Sequence, residues 1–329
     1  MLFYKRKIIA YMKIALVGKG GSGKTTISAL LARHAASKGR AVLAVDADIN
    51  QHLGASFGFT KNALARLPKL GHETDRIKEY LRGTNPRIAS AAAMVKTTPP
   101  STGSRLLHLT KPNPLWKRFM RQKDGVRFMA VGAMDESDIG VKCYHAKTGG
   151  IELILGHLID TKEECVVCDM TAGADSFASG MFVRFDITLL VAEPTEKSVA
   201  VCKQYMRYAK GWNLNVKIIG NQAENGQDKA FLKKAFGKNL VACLSRSAYI
   251  RQSERGDTPP LARLESVNKK ALDAVMTEID ACKKNWKKSY RDAITLHIKN
   301  AESWANKAIG ADVTKQIEPD FSMINASSA

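Results

Sequence analysis

The chain has 329 residues, of which 45% are hydrophobic and 25% are charged, a balance typical of globular proteins. This composition excludes a disordered or collagen-like chain, and the apolar runs are far shorter than the roughly 18 residues that span a bilayer. The 51 Lys and Arg residues against 31 Asp and Glu residues give a net charge of +20. Such an excess favours an anionic partner, such as nucleic acid, an acidic membrane surface or a nucleotide.

The cysteine content and the first residues indicate the compartment. Six cysteines are too few for a disulfide scaffold, and the first residues lack the charged and apolar segments of a signal peptide. We therefore expect a cytoplasmic protein with reduced thiols. Residues 1–11 precede the first convincing strand and are predicted to be an appendage, and a translation start at Met12 is an alternative.

A strand, a helix and a second strand are predicted first along the chain. Residues 12–18 form a short apolar run ending in glycine, which is typical of a buried parallel strand. Residues 24–38 have helical spacing, and Gly39 is placed to end that helix. Residues 41–46 form a second apolar run that ends in an aspartate. Together they predict a βαβ unit with parallel strands.

The later elements continue this alternation up to a helical C-terminal region. Residues 50–125 are predicted to be a basic insertion, partly loop, since residues 61–127 contain 15 basic and 4 acidic side chains and several prolines. Residues 310–329 are polar and predicted to be frayed. Further strands are predicted at 126–132, 165–169, 187–192 and 216–220, and helices at 150–160, 196–210 and 265–309.

A phosphate-binding motif connects the first strand to the first helix. Residues 18–26 read Gly-Lys-Gly-Gly-Ser-Gly-Lys-Thr-Thr and match G-x-x-x-x-G-K-[ST] in the strand-to-helix context that supports it. Glycines let backbone N–H groups surround phosphate oxygens, and the helix N-terminus adds partial positive charge. Lys24 is expected to reach the β- and γ-phosphates of ATP, and the Thr25 hydroxyl to ligate Mg²⁺. The other predicted nucleotide contacts are Gly20, Gly21, Ser22, Gly23 and Thr26.

The same glycines also satisfy a second motif, that of a dinucleotide site. Gly18, Gly20 and Gly23 match the dinucleotide fingerprint G-x-G-x-x-G, and Asp46 is placed where a ribose-binding acid would lie. The Lys-Thr pair after Gly23 favours a nucleoside triphosphate, because a dinucleotide site has no use for a cation and a metal-binding hydroxyl there.

The fold prediction follows from this choice. We predict an α/β fold in which a mostly parallel sheet is flanked by helices, as in P-loop NTPases. The ATPase domain is predicted to span residues 12–264, with the insertion at about 50–125. Residues 265–329 are predicted to be a helical, basic extension with a polar tail.

A second lysine inside the loop carries a family resemblance. With Lys19, the run Lys-Gly-Gly-x-Gly-Lys-Thr-Thr resembles the deviant Walker A motif of the MinD, ParA, ArsA and nitrogenase iron protein group. The resemblance implies an ATP-dependent homodimer that encloses nucleotide between its subunits. It also implies that Lys19 stabilises charge on the partner's phosphates, much as an arginine finger does. The alternative is a solvated loop lysine.

Two acidic segments follow predicted strands. Asp46 and Asp48 lie after the second strand, and the resemblance implies that Asp48 positions the attacking water and Asp46 supports the metal region. Ile49 stands where the family usually has proline, and a helix N-cap is the alternative role of this pair. Asp169 ends a later strand at a Walker B-like position, where the acid binds Mg²⁺ through water.

Two further nucleotide contacts are implied by the resemblance. Gly173 would offer its N–H to the γ-phosphate, as in the family's second switch. Asn221, at the end of another strand, would lie against adenine. Ordinary turn chemistry explains Asn221 almost as well.

Within this group, residues 12–60 and 126–260 most resemble the CooC-type ATPase that assists nickel insertion into carbon monoxide dehydrogenase. In that branch a Cys-x-Cys from each subunit binds metal across the dimer, whereas here the corresponding residues are Cys143 and His145. In an extended segment both side chains point the same way, so two subunits would supply a Cys₂His₂ set for Zn²⁺ or Ni²⁺. An incidental pair is the alternative.

The other closely spaced cysteine pair is not predicted to form a joint metal site. Cys165 and Cys168 lie on a predicted strand. Residues three apart on a strand face opposite sides of the sheet, so these two thiols are not expected to bind one ion together.

Two functions are compatible with these residues. The first is a slowly ATP-hydrolysing dimeric switch that resembles a metallocentre-maturation ATPase and acts on an unknown client protein. The second is a ParA-like positioning ATPase that binds DNA non-specifically. Residues 283–291 are basic with interleaved aromatics, which suits nucleic acid, an anionic membrane or a solvated helix face. The Cys143 region favours the first function.

Overall fold

The computed structural model describes residues 12–326 except 139, 141, 142 and 162, so the appendage predicted for residues 1–11 lies outside the described residues. The described chain forms an eight-stranded sheet with the order β3-β4-β2-β5-β1-β6-β7-β8. Neighbouring strands are parallel except for β3 and β4. The strands are β1 (Met12–Gly18), β2 (Ala41–Ala47), β3 (Arg121–Lys123), β4 (Val126–Ala130), β5 (Glu164–Met170), β6 (Ile187–Ala192), β7 (Val216–Gly220) and β8 (Leu240–Cys243).

Helices flank this sheet, which confirms the predicted α/β fold. Before the sixth strand the helices are α1 (Lys24–Ser37), α2 (Leu53–Ser56), α3 (Lys61–Arg66), α4 (Thr74–Arg82), α5 (Pro114–Phe119), α6 (Tyr144–Lys147) and α7 (Gly149–His157). After it they are α8 (Glu196–Gly211), α9 (Gly226–Phe236), α10 (Ala248–Glu254), α11 (Ser266–Ala281), α12 (Trp286–Asn300), α13 (Asn306–Ile309) and α14 (Met323–Ala326).

The core consists of two apolar layers, one on each face of the sheet. Helices α1 and α11 cover one face, and α4, α7 and α8 cover the other. Alternate residues of each buried strand enter opposite layers, as the period of a strand requires. Cys165 lies in the α1 layer and Cys168 in the α7 layer, which confirms that these two thiols do not face one site.

The basic stretch at residues 50–125 packs into the domain. It contains the short helices α2 to α5, joined by irregular segments. Leu70, Ile77 and Leu81 are fully buried in the α7 layer, and Pro114 begins α5, where its missing N–H costs nothing. The stretch therefore supplies part of the core of the described chain.

The C-terminal extension is helical, as predicted. The helical stretch predicted for 265–309 consists of α11 and α12, a π-helical turn at Ala301–Ala305 and the short helix α13. The prediction that residues from 310 onward are frayed is wrong for those described. The buried Gln316 amide donates to the Ala93 carbonyl over 2.7 Å, and the Tyr290 hydroxyl lies 2.8 Å from the Glu318 carbonyl. Distant partners thus order a tail that looks polar in sequence.

Four buried charges attach this extension to the sheet. Lys13, at the start of β1, lies 3.2 Å from Asp160, and the Lys284 ammonium lies 2.8 Å from both Asp160 and Asp186. The Lys284 ammonium nitrogen lies over the indole ring of Trp286, 4.4 Å from the ring centroid. Burial lowers the pKa of Lys13 to about 8. We call these four residues, Lys13, Asp160, Asp186 and Lys284, the basal charge cluster. Each of its two buried carboxylates lies beside a cation.

Removing one cation from the basal charge cluster is expected to destabilise the fold. The Lys284 side chain is only 4% exposed, so Lys284→Met leaves two buried carboxylates with too little compensating charge. We expect the free energy of unfolding to fall by about 3–5 kcal/mol, measured by urea denaturation. The control is Lys287→Met, on the exposed side of α12. A loss no greater than the control's would contradict this account.

Candidate nucleotide site

The site lies where parallel strands β1, β2 and β5 end. Residues 18–23 form the loop after β1, and Asp46 and Asp169 lie near the ends of β2 and β5. These two aspartates are register partners in the sheet. The structure thus brings the phosphate-binding motif and both predicted carboxylates to one edge, as expected for open α/β sheets.

The loop has the geometry of a phosphate cradle. Gly21 and Gly23 have φ values of 81° and 88°, which an L side chain rarely adopts. The Lys24 side chain is buried, and its ammonium lies 3.5 Å from the Lys19 carbonyl. Within the described chain the buried Ser22 hydroxyl has no hydrogen-bond partner. An unpaired polar atom, a lysine and glycine backbone in one loop together fit an anionic group.

Three side chains cluster around the end of β5. The Thr25 hydroxyl donates to Asp169 over 2.6 Å, and the Ser28 hydroxyl donates to its other oxygen over 3.2 Å. Burial raises the pKa of Asp169 to about 7, although the Thr25 bond and Lys24 act against the shift. Carboxylate and hydroxyl oxygens are the ligands that Mg²⁺ prefers, so these residues fit that ion.

Asp46 faces Asp169 from the neighbouring strand. Burial, followed by the charge of Asp169, holds the pKa of Asp46 well above its ordinary value. The Leu53 N–H donates to Asp46 over 2.9 Å and partly offsets this effect. The two carboxylates form a region that attracts cations strongly.

Asp48 is held by the turn that follows β2. Its Oδ1 accepts from the N–H and the side-chain amide of Asn50, both over 2.9 Å. Gln51 donates to the Asp48 carbonyl over 2.6 Å and accepts from the Gly132 N–H over 3.1 Å. Sequence reasoning missed Gln51, which connects the ends of β2 and β4, because no motif marks it.

Lys19 lies in the phosphate loop and Gly173 in the segment that follows β5. The Lys19 ammonium is 3.7 Å from Glu193 of its own chain, and the lysine side chain is 38% exposed. Gly173 has a φ of 56° and begins the 3-10 helical segment Gly173–Ala178 shortly after Asp169. Both residues lie at the sheet edge where sequence reasoning predicted them.

Asn221 braces the phosphate loop. Its side-chain amide donates to the Ser22 carbonyl over 2.8 Å. A β-carbon at Gly23 would lie 2.3 Å from that amide nitrogen, so only glycine fits there. Beside this contact is a cavity of about 290 Å³ that Arg246 and Arg251 also line, and no sequence motif indicated these arginines. The cavity has room for a base next to the loop.

Cys143 and His145 are also brought together. The Cys143 sulfur lies 3.0 Å from the His145 Nδ1, although Cys143 precedes the short helix α6 and the segment is not an extended strand. The His145 Nε2 lies 3.1 Å from the Asp175 carbonyl. Among the described residues, no group of three or more His, Cys, Asp or Glu side chains is placed to hold a metal ion. Among its described residues, one chain therefore supplies two candidate metal ligands here, Cys143 and His145.

Comparison with known proteins agrees with this geometry. The family model for the CobQ/CobB/MinD/ParA nucleotide-binding domain matches residues 14–259. The carbon monoxide dehydrogenase accessory protein CooC of Rhodospirillum rubrum is 27% identical over 209 residues, which are 63% of this chain and 72% of CooC. An uncharacterised ATP-binding protein of Methanocaldococcus jannaschii is 29% identical over 230 residues, which are 70% of this chain and 81% of that protein.

A solved structure shares the fold. The septum site-determining protein MinD of Pyrococcus horikoshii, complexed with Mg-ADP, superposes with a TM-score of 0.54 at 18% sequence identity. The match covers 82% of this chain and 95% of that MinD chain. At this identity the likeness concerns the fold alone.

The sheet and its phosphate loop define a P-loop nucleotide-binding protein. The chain belongs to the CobQ/CobB/MinD/ParA nucleotide-binding family and is related in sequence to CooC. These findings confirm the resemblance to the MinD and ParA group and to its CooC-type branch. Within the described residues, no helix is long and apolar enough to cross a membrane.

Removing the brace on the phosphate loop is expected to weaken nucleotide binding. Asn221→Ala deletes the bond to the Ser22 carbonyl, and we expect the Kd for a fluorescent ATP analogue to rise about tenfold. The matched control is Asn215→Ala, which lies just before the same strand β7 at the opposite edge of the sheet. Equal affinities for the two variants would show that the brace is not needed for binding.

Proposed function

We propose that the protein is an Mg²⁺-dependent ATPase switch that dimerises on ATP and takes part in building the metal centre of a client protein. The observation that carries this proposal is the convergence of Lys24, Thr25 and Asp169 with Asp48 at one sheet edge. This set would provide a phosphate anchor, a metal-binding pair and a carboxylate for the attacking water, and Thr25, Lys24 and Asp48 all act on Asp169. The sequence relation to CooC supports the metal-centre role.

The proposed hydrolytic roles follow from the contacts of each residue. The N–H groups of residues 20–25 and the Lys24 ammonium would bind the phosphates, which fixes the substrate before any bond breaks. Thr25 and Asp169 would hold Mg²⁺, with Asp46 behind them. The ion, when bound, neutralises charge on the phosphate oxygens. Asp48 would orient the attacking water, and the Gly173 N–H would donate to the γ-phosphate.

Dimerisation would change the partner of Lys19. Its ion pair with Glu193 is long and partly exposed, so it contributes little to stability. The lysine can therefore leave Glu193 at low cost and reach phosphate in a second subunit. This proposed exchange makes Lys19 a deviant Walker A lysine that links ATP occupancy to assembly.

The proposed cargo site uses Cys143 and His145. Their donor atoms already lie 3.0 Å apart, and two copies in a dimer would offer two sulfurs and two nitrogens to Zn²⁺ or Ni²⁺ as cargo. The His145 Nε2 is within 3.1 Å of the Asp175 carbonyl. Such an outer hydrogen bond fixes the orientation of a ligating imidazole.

Substitutions at Asp48 and Lys19 are expected to separate hydrolysis from assembly. Asp48→Ala should lower phosphate release about tenfold or more and leave an ATP-bound dimer in size-exclusion chromatography with light scattering. Asp48→Asn keeps an acceptor for Asn50 and should give the same low phosphate release and the same ATP-bound dimer as Asp48→Ala. Lys19→Ala should remain monomeric with ATP.

Controls for these variants use exposed residues of the same types. Asp75→Ala and Lys61→Ala change side chains outside the site and should match the parent protein in both assays. Hydrolysis by Asp48→Ala at the parent rate would mean that Asp48 has no role in the reaction. ATP-dependent, salt-sensitive DNA binding that is lost in Lys19→Ala would support the ParA-like alternative instead.

Metal retention tests the cargo site. In the presence of ATP, the dimer is expected to retain about one Zn²⁺ per two chains after desalting, measured by inductively coupled plasma mass spectrometry. Cys143→Ala/His145→Ala should retain none, because both donors of each chain are gone. Cys282→Ala/His52→Ala alters a cysteine and a histidine elsewhere and should match the parent. Unchanged zinc in the first double variant would remove Cys143 and His145 from the proposal.

A further inference from the structure

Tyr144 occupies the position between the proposed cargo ligands. Cys143 is exposed to solvent, whereas the Tyr144 side chain turns into the core and is only 6% exposed. Its ring packs in the same apolar layer as Val45 and Ala47 of β2. Tyr144 therefore lies under the strand end that carries Asp46 and Asp48.

The Tyr144 hydroxyl is buried and lacks a well-aligned partner. Within the described chain no hydrogen bond of normal geometry reaches it, and the Gln51 side chain lies close enough only for a looser one. A phenol has an ordinary pKa of about 10, so this hydroxyl keeps its proton at neutral pH and remains a donor. Buried polar atoms without a partner are rare in folded proteins and call for a specific explanation.

The neighbours of this hydroxyl belong to the proposed hydrolytic site. Gln51 binds the Asp48 carbonyl and lies 3.4 Å from the Asp46 carboxylate. On the other side, His145 contacts Asp175, which follows Gly173. The tripeptide at 143–145 thus touches the segments after both β2 and β5.

We infer that Tyr144 is a positioning residue for ATP hydrolysis, whose hydroxyl donates to Gln51 or to the water beside Asp48 when ATP is bound. This inference rests on the proposed ATPase function. The donor lies beside Gln51, which binds the Asp48 carbonyl, and it would obtain a well-aligned partner only when the site is filled. Tyr144 acts through Gln51, Asp48 and that water, and no contact with the phosphates is required.

Tyr144→Phe tests the inference because it deletes one oxygen and keeps the ring. We expect kcat for ATP hydrolysis to fall about fivefold or more, with KM for ATP within about twofold of the parent value. The Tm should not fall, since the deleted hydroxyl has no well-aligned partner in the protein alone. A purely structural tyrosine would not produce this separation of kcat from KM and Tm.

The matched control is Tyr290→Phe at the opposite end of the sheet. The Tyr290 hydroxyl is within 3.0 Å of the Pro100 carbonyl and 2.8 Å of the Glu318 carbonyl, so its loss should lower Tm and leave kcat unchanged. An unchanged kcat in Tyr144→Phe overturns the inference and leaves the ATPase proposal intact. A lowered Tm with a raised KM also overturns it, because the role is then structural. Absence of hydrolysis by the parent protein overturns both proposals.

Discussion

Two buried carboxylates on neighbouring parallel strands are the constraint around which the site is arranged. Asp46 and Asp169 are register partners, and burial raises the pKa of each. A neighbouring negative charge adds to the shift, from Asp169 for Asp46 and from Asp48 for Asp169. The Thr25 and Ser28 hydroxyls donate to one carboxylate and a backbone N–H donates to the other. These bonds offset part of the cost of keeping negative charge away from water. A divalent cation would offset the rest, which gives a physical reason for coupling metal and nucleotide at this edge.

Much of the site was predictable because its parts follow simple rules. A glycine-rich loop between a strand and a helix marks the phosphate cradle, and parallel strands bring the ends of β1, β2 and β5 to one edge. Asp46, Asp169 and Lys24 therefore lie together as expected. Gln51 was not predictable, because its role depends on a positive φ of 53° and on a contact with residue 132. The direction of the Tyr144 side chain depends on packing between distant segments in the same way.

The fold outside the sheet was less predictable, for a related reason. Strands and long helices carry periodic apolar patterns, whereas residues 50–125 bury isolated apolar side chains from short helices between turns. The described tail is ordered by polar contacts with residues more than 200 positions away in sequence, such as the bond from Gln316 to Ala93. Local composition contains no information about such partners. Polarity alone therefore indicated fraying, and the tertiary contacts reversed that expectation.

The basal charge cluster has a consequence for the order in which the chain is made and folded. Lys13 opens a central strand, yet the two carboxylates near it are balanced only when Lys284 is also present. Ribosomal synthesis releases β1 early and Lys284 late. Before Lys284 is available, a growing chain would have to bury the carboxylates of Asp160 and Asp186 with Lys13 as the one cation of the cluster. One of the two central strands therefore reaches its final electrostatic environment only when α11 and α12 have emerged, which favours completion of this domain after Lys284 has been synthesised.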